Sequence, residues 1–211
     1  MIRRILTIIL LICVAASGSA YAEDLRTLFL NMPDSIMPTL TRSDRMDFLD
    51  FKDIGMKARA TNKLGGESVM TELSERMLSV TTSGSGKVDM VLLPRKNGSN
   101  LICIIKTVTA RYDDSRLEFY NEDWTPVDAK KLIKLPRFDD YLTREALRQD
   151  SLSYFKKLSI LRLQSITAVE NALEFRYTSL DYIGEDADRY RSWIKSDPII
   201  YTWTGKRFKR K

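Results

Sequence analysis

The chain has 211 residues, a formal net charge of +6 and no histidine. Without an imidazole it cannot build a Ser-His-Asp triad, a Cys-His dyad, or a histidine-ligated zinc or haem site. Enzymes that use carboxylates alone, or a Ser-Lys pair, stay formally open.

In chain order, Met1-Ile2-Arg3-Arg4 precedes the apolar run ILTIILLICVAA and the small-residue stretch ending Ala20-Tyr21-Ala22. That order predicts a cleaved secretory signal over residues 1–22, because the apolar run is shorter than the ~20 residues of a spanning helix. Cys13 lies inside the apolar core and follows Ile12, which argues against lipid attachment there. Cleavage removes Arg3 and Arg4, lowering the net charge from +6 to +4, and leaves 189 residues, enough for one large core or two smaller ones. Much of the remaining excess sits in Lys206–Lys211 (KRFKRK), which reads as a solvated basic tail. A near-neutral body gives no distributed footprint for nucleic acid. Cys103 would be the one thiol left, with no internal disulfide partner. It alternates with Leu101 and Ile105 as a buried apolar residue would.

Leu25, Leu28 and Phe29 predict a short helix ending near Pro33. Thr41, three residues before Asp44, predicts a capped second helix to about Met56, with Phe48, Phe51 and Met56 inward. Four antiparallel strands are then expected over 77–83, 88–94, 101–112 and 117–124. Asn97-Gly98 would form a hairpin turn between two of them, and Asp113–Arg116 another turn. Helical character returns at 128–135 and over 143–158, the latter capped by Thr143, with Ala146, Leu147, Tyr154 and Leu158 apolar. A second set of strands is expected over 161–170, 172–180, 189–194 and 198–208. The fold class is α+β: two tandem units, 23–127 and 128–211, each short helices followed by a roughly four-stranded antiparallel sheet.

Met32, Pro33, Asp34, Ser35, Pro38, Leu40 and Thr41 lead into Asp47, Leu49 and Asp50, and FYNEDWTPV spans 119–127. With these residues the chain resembles an uncharacterised secreted protein family of Bacteroidales, a domain of unknown function. The layout is similar to the β-lactamase-inhibitor-protein type of fold, an analogy of architecture that implies no inhibitory activity. The resemblance makes one modification relevant: Asp34-Ser35-Ile36 and Asp150-Ser151-Leu152 match the Asp-Ser-apolar pattern of O-glycosylation, at Ser35 and Ser151.

Other candidate residues are few. Asp47, Asp50 and Asp53 form a helical stripe that reads as a solvated face, since no calcium-loop order accompanies it. Ser153 and Lys156 have S-x-x-K spacing but fall mid-helix, which disfavours catalysis. Tyr120 and Trp124 share a strand face with Glu118 and Glu122, opposite Leu117 and Phe119, and form a candidate partner surface. Tyr201 and Trp203 read as core. The expectation is a non-enzymatic binding module of the bacterial envelope, periplasmic or at the cell surface. Its partner would be a protein, peptide or glycan rather than nucleic acid. No catalytic residue, metal, cofactor or further membrane span is expected. The alternatives are a carboxylate-only hydrolase and an assembly role for the basic tail.

Overall fold

The structure is a computed structural model that describes residues 23–211. The predicted leader and Cys13 lie outside the described residues. Helix α1 (Leu25–Asn31) starts where Asp24 accepts a hydrogen bond from the Thr27 amide at 2.7 Å. Helix α2 (Arg42–Asp53) starts at a capping box: Thr41 Oγ1 accepts from the Asp44 amide (3.1 Å), and Asp44 Oδ2 from the Thr41 amide (2.7 Å). It ends at Asp53, so Met56 lies beyond the helix and is exposed rather than inward.

Seven strands follow, each antiparallel to the next: β1 (Arg59–Thr61), β2 (Glu67–Leu73), β3 (Met77–Ser83), β4 (Gly86–Pro94), β5 (Asn100–Thr109), β6 (Asp113–Tyr120) and β7 (Pro126–Val127). The α+β class holds, but this sheet is wider than the four strands expected. β1 and β7 are too short to show a period of two, and β2 is polar on one side and bulged between Met70 and Glu72. Asp113–Arg116 belong to β6, not to a turn. Ser115 is buried there, with its hydroxyl 2.8 Å from that of Thr107 on β5.

After the short helix α3 (Ala129–Leu132), the helix expected over 143–158 is two pieces. Thr143 Oγ1 accepts from the Ala146 amide at 3.2 Å ahead of a single turn of 3₁₀ helix whose N-cap is Glu145, without a side-chain cap, and α4 spans Leu152–Leu158. Gln149 between them is extended, and the adjacent Asp150 and Ser151 are types that compete with helical hydrogen bonding. The second sheet contains β8 (Gln164–Val169), β9 (Ala172–Tyr177), β10 (Ile199–Trp203) and β11 (Phe208–Arg210), in spatial order β11-β10-β9-β8. Residues 189–193 are helical, not a strand, and only Ile194 is extended, in an isolated bridge with Leu142. They begin within α5 (Ala187–Tyr190) and continue in a 3₁₀ turn, because Tyr190 and Trp193 are a helical three residues apart and both turn onto Phe155. The strand expected over 198–208 is split by a turn at Gly205, whose φ is +81°. The basic tail is therefore no free tail: Phe208 is buried and Arg210 pairs with Asp140 at 2.6 Å.

The seven-stranded sheet has both faces covered. Leu25, Leu28, Phe29, Phe48 and Leu49 of α1 and α2 pack on Met70, Leu78, Val80, Met90, Ile102 and Ile104. On the other face, Val91, Leu101, Cys103, Ile105 and Phe119 meet Ile166, Leu173, Phe175, Tyr201, Trp203 and Phe208. Residues of 23–127 and 128–211 thus share this second cluster, while the cluster beneath α1 and α2 is built from 23–127 alone. A smaller cluster gathers Phe138, Phe155, Leu180 and Tyr190. Cys103, Tyr201 and Trp203 are buried, as their spacing predicts. No helix among the described residues is long and apolar enough to cross a membrane.

Candidate binding site at the aromatic turn

Strand β6 runs into the turn Asn121–Thr125, which delivers β7. The Trp124 amide donates to the Asn121 carbonyl and the Asn121 amide to the Thr125 carbonyl, both at 2.9 Å. Asp123 Oδ1 accepts from the Thr125 hydroxyl (2.6 Å) and amide (3.0 Å), and these bonds hold its carboxyl below the usual range. The geometry leaves Trp124 in the left-handed region, with φ of +63°. For a bulky side chain that backbone costs roughly 1–2 kcal/mol, and it persists only where the surroundings enforce it. Its ring lies 5.7 Å from that of Tyr120, and both pack at the margin of the core beneath α1 and α2. The indole N–H is buried with no acceptor.

Three of the four residues named from sequence come together. Tyr120 Oη donates to Glu118 Oε2 at 2.8 Å, and the same carboxylate takes the Lys106 ammonium at 2.8 Å. Glu122 does a different job. Its Oε1 accepts from the Asn100 amide (3.0 Å), the Asn100 side chain (3.1 Å) and the Glu23 amide (3.2 Å), fastening the turn to β5 and to the start of the described chain. Lys106 was not singled out from sequence, although a lone lysine inside the apolar run LICIIK marks a partly open sheet face.

Burial first, and the Glu118 hydrogen bond second, push the Tyr120 phenol up to about 12. Burial also leads the upward shifts of Tyr141 and Tyr201. A phenol harder to ionise in the folded chain than in the unfolded one contributes fully below its unfolded value of about 10. That contribution is lost as pH rises from about 10 towards 12. Thermal denaturation across this range is expected to show a falling midpoint from about pH 10 upward, and a shallower fall in Tyr120→Phe. An identical fall in both proteins would remove Tyr120 from this account.

Elsewhere the candidates are separate. Asp47, Asp50 and Asp53 are exposed, and Asp53 pairs with Arg26 of α1. Ser153 is exposed, while Lys156 binds Asp139 at 2.6 Å instead of facing a serine. Ser35 is exposed, and its neighbour Asp34 is held by Lys63 and Arg45, each at 3.2 Å; Ser151 is half-buried at the start of α4. Cys103 lies in the shared cluster, where burial pushes its thiol far above the range of a reactive thiolate.

A family model described as "Protein of unknown function (DUF3256)" matches residues 17–208. The chain belongs to that family. A solved domain of an uncharacterized protein from Porphyromonas gingivalis W83 is similar to this DUF3256 chain at 25% identity. The match has a TM-score of 0.78 and covers 89% of this chain and 98% of the other. That source agrees with the Bacteroidales resemblance carried by residues 32–50 and 119–127. No curated protein matches.

Proposed function

We propose that this DUF3256 chain is a non-enzymatic binding module of the bacterial envelope, reached by export. A protein, peptide or glycan partner would sit on the edge formed by Tyr120, Trp124, Glu118 and Lys106. The observation that carries this reading is Trp124: a tryptophan held in a glycine-like backbone conformation at the margin of the core, beside a second aromatic ring. Strain of this kind concentrates where a side chain must be presented. The carboxyls that leave their ordinary range, Asp34, Asp53, Asp123, Asp140 and Asp181, all move downward, the reverse of what a general acid needs.

Trp124→Gly and Trp124→Ala both delete the ring, but only glycine accepts the left-handed backbone freely. The glycine variant is expected to be about 1 kcal/mol more stable than the alanine variant in urea unfolding. With a photo-crosslinker at the exposed Thr125, the parent protein in envelope extract is expected to give a discrete adduct that Trp124→Gly loses. An adduct of equal yield in both would remove the aromatic edge from binding.

A further inference from the structure

The basic residues that read as a tail are placed by two hairpins. The β4–β5 turn carries Lys96, and the β10–β11 turn carries Lys206 and Arg207, with Lys209 on β11. The turns are joined: the Trp203 indole donates to the Pro94 carbonyl at 2.7 Å, and the Lys96 amide reaches the Gly205 carbonyl at 3.4 Å. A Cβ on Gly205 would sit 3.0 Å from Lys96 Cγ, so the lysine stem lies directly on the glycine backbone. The second turn is closed by Thr204, whose hydroxyl donates to the Arg207 carbonyl at 2.6 Å. Lys96, Thr204, Lys206, Arg207 and Lys209 together line a concavity of about 360 Å³.

None of these four cations takes part in an ion pair among the described residues, although ten other pairs form. Four like charges gathered around one hollow repel one another, and a bound anion relieves that repulsion. The lining has no aromatic ring on which a base could stack and no apolar wall for an acyl chain. Lysine point charges beside an arginine fork suit phosphate oxygens.

We propose that the paired β4–β5 and β10–β11 turns form a binding site for a phosphate-bearing ligand, held by Lys96, Lys206, Arg207 and Lys209. The site is independent of the aromatic edge. Inorganic tripolyphosphate, titrated calorimetrically into the full chain at constant ionic strength, is expected to bind saturably. The variant Lys96→Gln/Lys206→Gln/Arg207→Gln/Lys209→Gln is expected to bind at least about tenfold more weakly. It keeps Phe208 and the Arg210–Asp140 pair, and its urea unfolding midpoint checks that it is folded. Lys130→Gln/Lys131→Gln, which neutralises exposed cations on α3, is expected to bind like the parent. Absence of saturable binding, equal affinity in the four-site variant, or equal loss in the α3 variant would each overturn the proposal. Sedimentation with phosphatidylcholine vesicles containing phosphatidic acid, lost in the four-site variant, would identify a lipid headgroup. Tripolyphosphate binding without sedimentation would identify a soluble phosphate ester.

Discussion

Arg45→Ala is expected to lower stability by about 2–5 kcal/mol, from two buried carbonyls left without a donor and the void where the arginine stem was. Arg45 is 1% exposed, yet it sits on α2 facing the core. Its guanidinium donates to the Met32 carbonyl at 2.8 Å and the Leu40 carbonyl at 3.3 Å, and reaches Asp34 at 3.2 Å. Those carbonyls belong to the connection between α1 and α2, a segment of prolines and turns with little regular hydrogen bonding of its own. Alanine would strand both carbonyls, open a void the length of the arginine stem, and release the connection. At roughly 2–4 °C per kcal/mol for a domain of this size, the thermal midpoint should drop by about 10 °C. Arg45→Lys keeps the charge but cannot span two carbonyls, and should lose less than the alanine variant. Urea unfolding of the two variants measures this. A loss under 1 kcal/mol in Arg45→Ala would mean that the connection is held by its apolar residues alone.

Phe155→Ala is the second large effect, at about 3–5 kcal/mol. Phe155 is the one buried residue of α4, fully enclosed by Phe138 at 5.8 Å, Tyr190 at 4.5 Å and Trp193 at 5.4 Å between ring centroids. A seven-residue helix is far below the length that stands alone in water, so its existence depends on this contact. The loss should begin locally. Amide exchange at Phe155 and Ser159, which close the helix onto Ser151 and Phe155, should accelerate before that of β4 and β5. Uniform acceleration across the chain would show that this cluster and the sheets unfold as one unit.

How much of this was legible in the sequence depended on whether local chemistry or distant packing decided each element. The Thr41–Asp44 box and the Asn97-Gly98 turn are complete within a few residues, and both stand in the structure, with Gly98 at φ +86°. Cys103 alternates inside an apolar strand, so its burial followed from a period of two. Arg45 had the right spacing, three and four residues before Phe48 and Leu49, but its residue type argued against burial. Residues 189–194 were ambiguous because Tyr190 and Trp193 suit either a strand or a helical turn, and a cluster remote in sequence decided it. Of the site, Tyr120, Trp124 and Glu118 lie together, but Trp124 and Glu122 belong to the turn after β6 and not to a strand face. The left-handed backbone at Trp124 and the ties from Glu122 to Asn100 and Glu23 depend on contacts that no local pattern encodes. The basic run Lys206–Lys211 had no visible register until Phe208 was seen opposite Trp203.

The connectivity of the seven-stranded sheet carries a consequence for the order of assembly. Every strand pairs with its neighbour in sequence, so each closure spans a short loop and the sheet can zip hairpin by hairpin. The helices α1 and α2, of seven and twelve residues, precede the sheet in sequence but are too short to hold their shape before a sheet face exists to receive them. The four-stranded sheet must likewise wait for the opposite face. Sheet formation by successive hairpins is thus expected to precede the docking of α1 and α2, and pulse-labelled amide exchange would show β4 and β5 protected before Leu28 and Phe48.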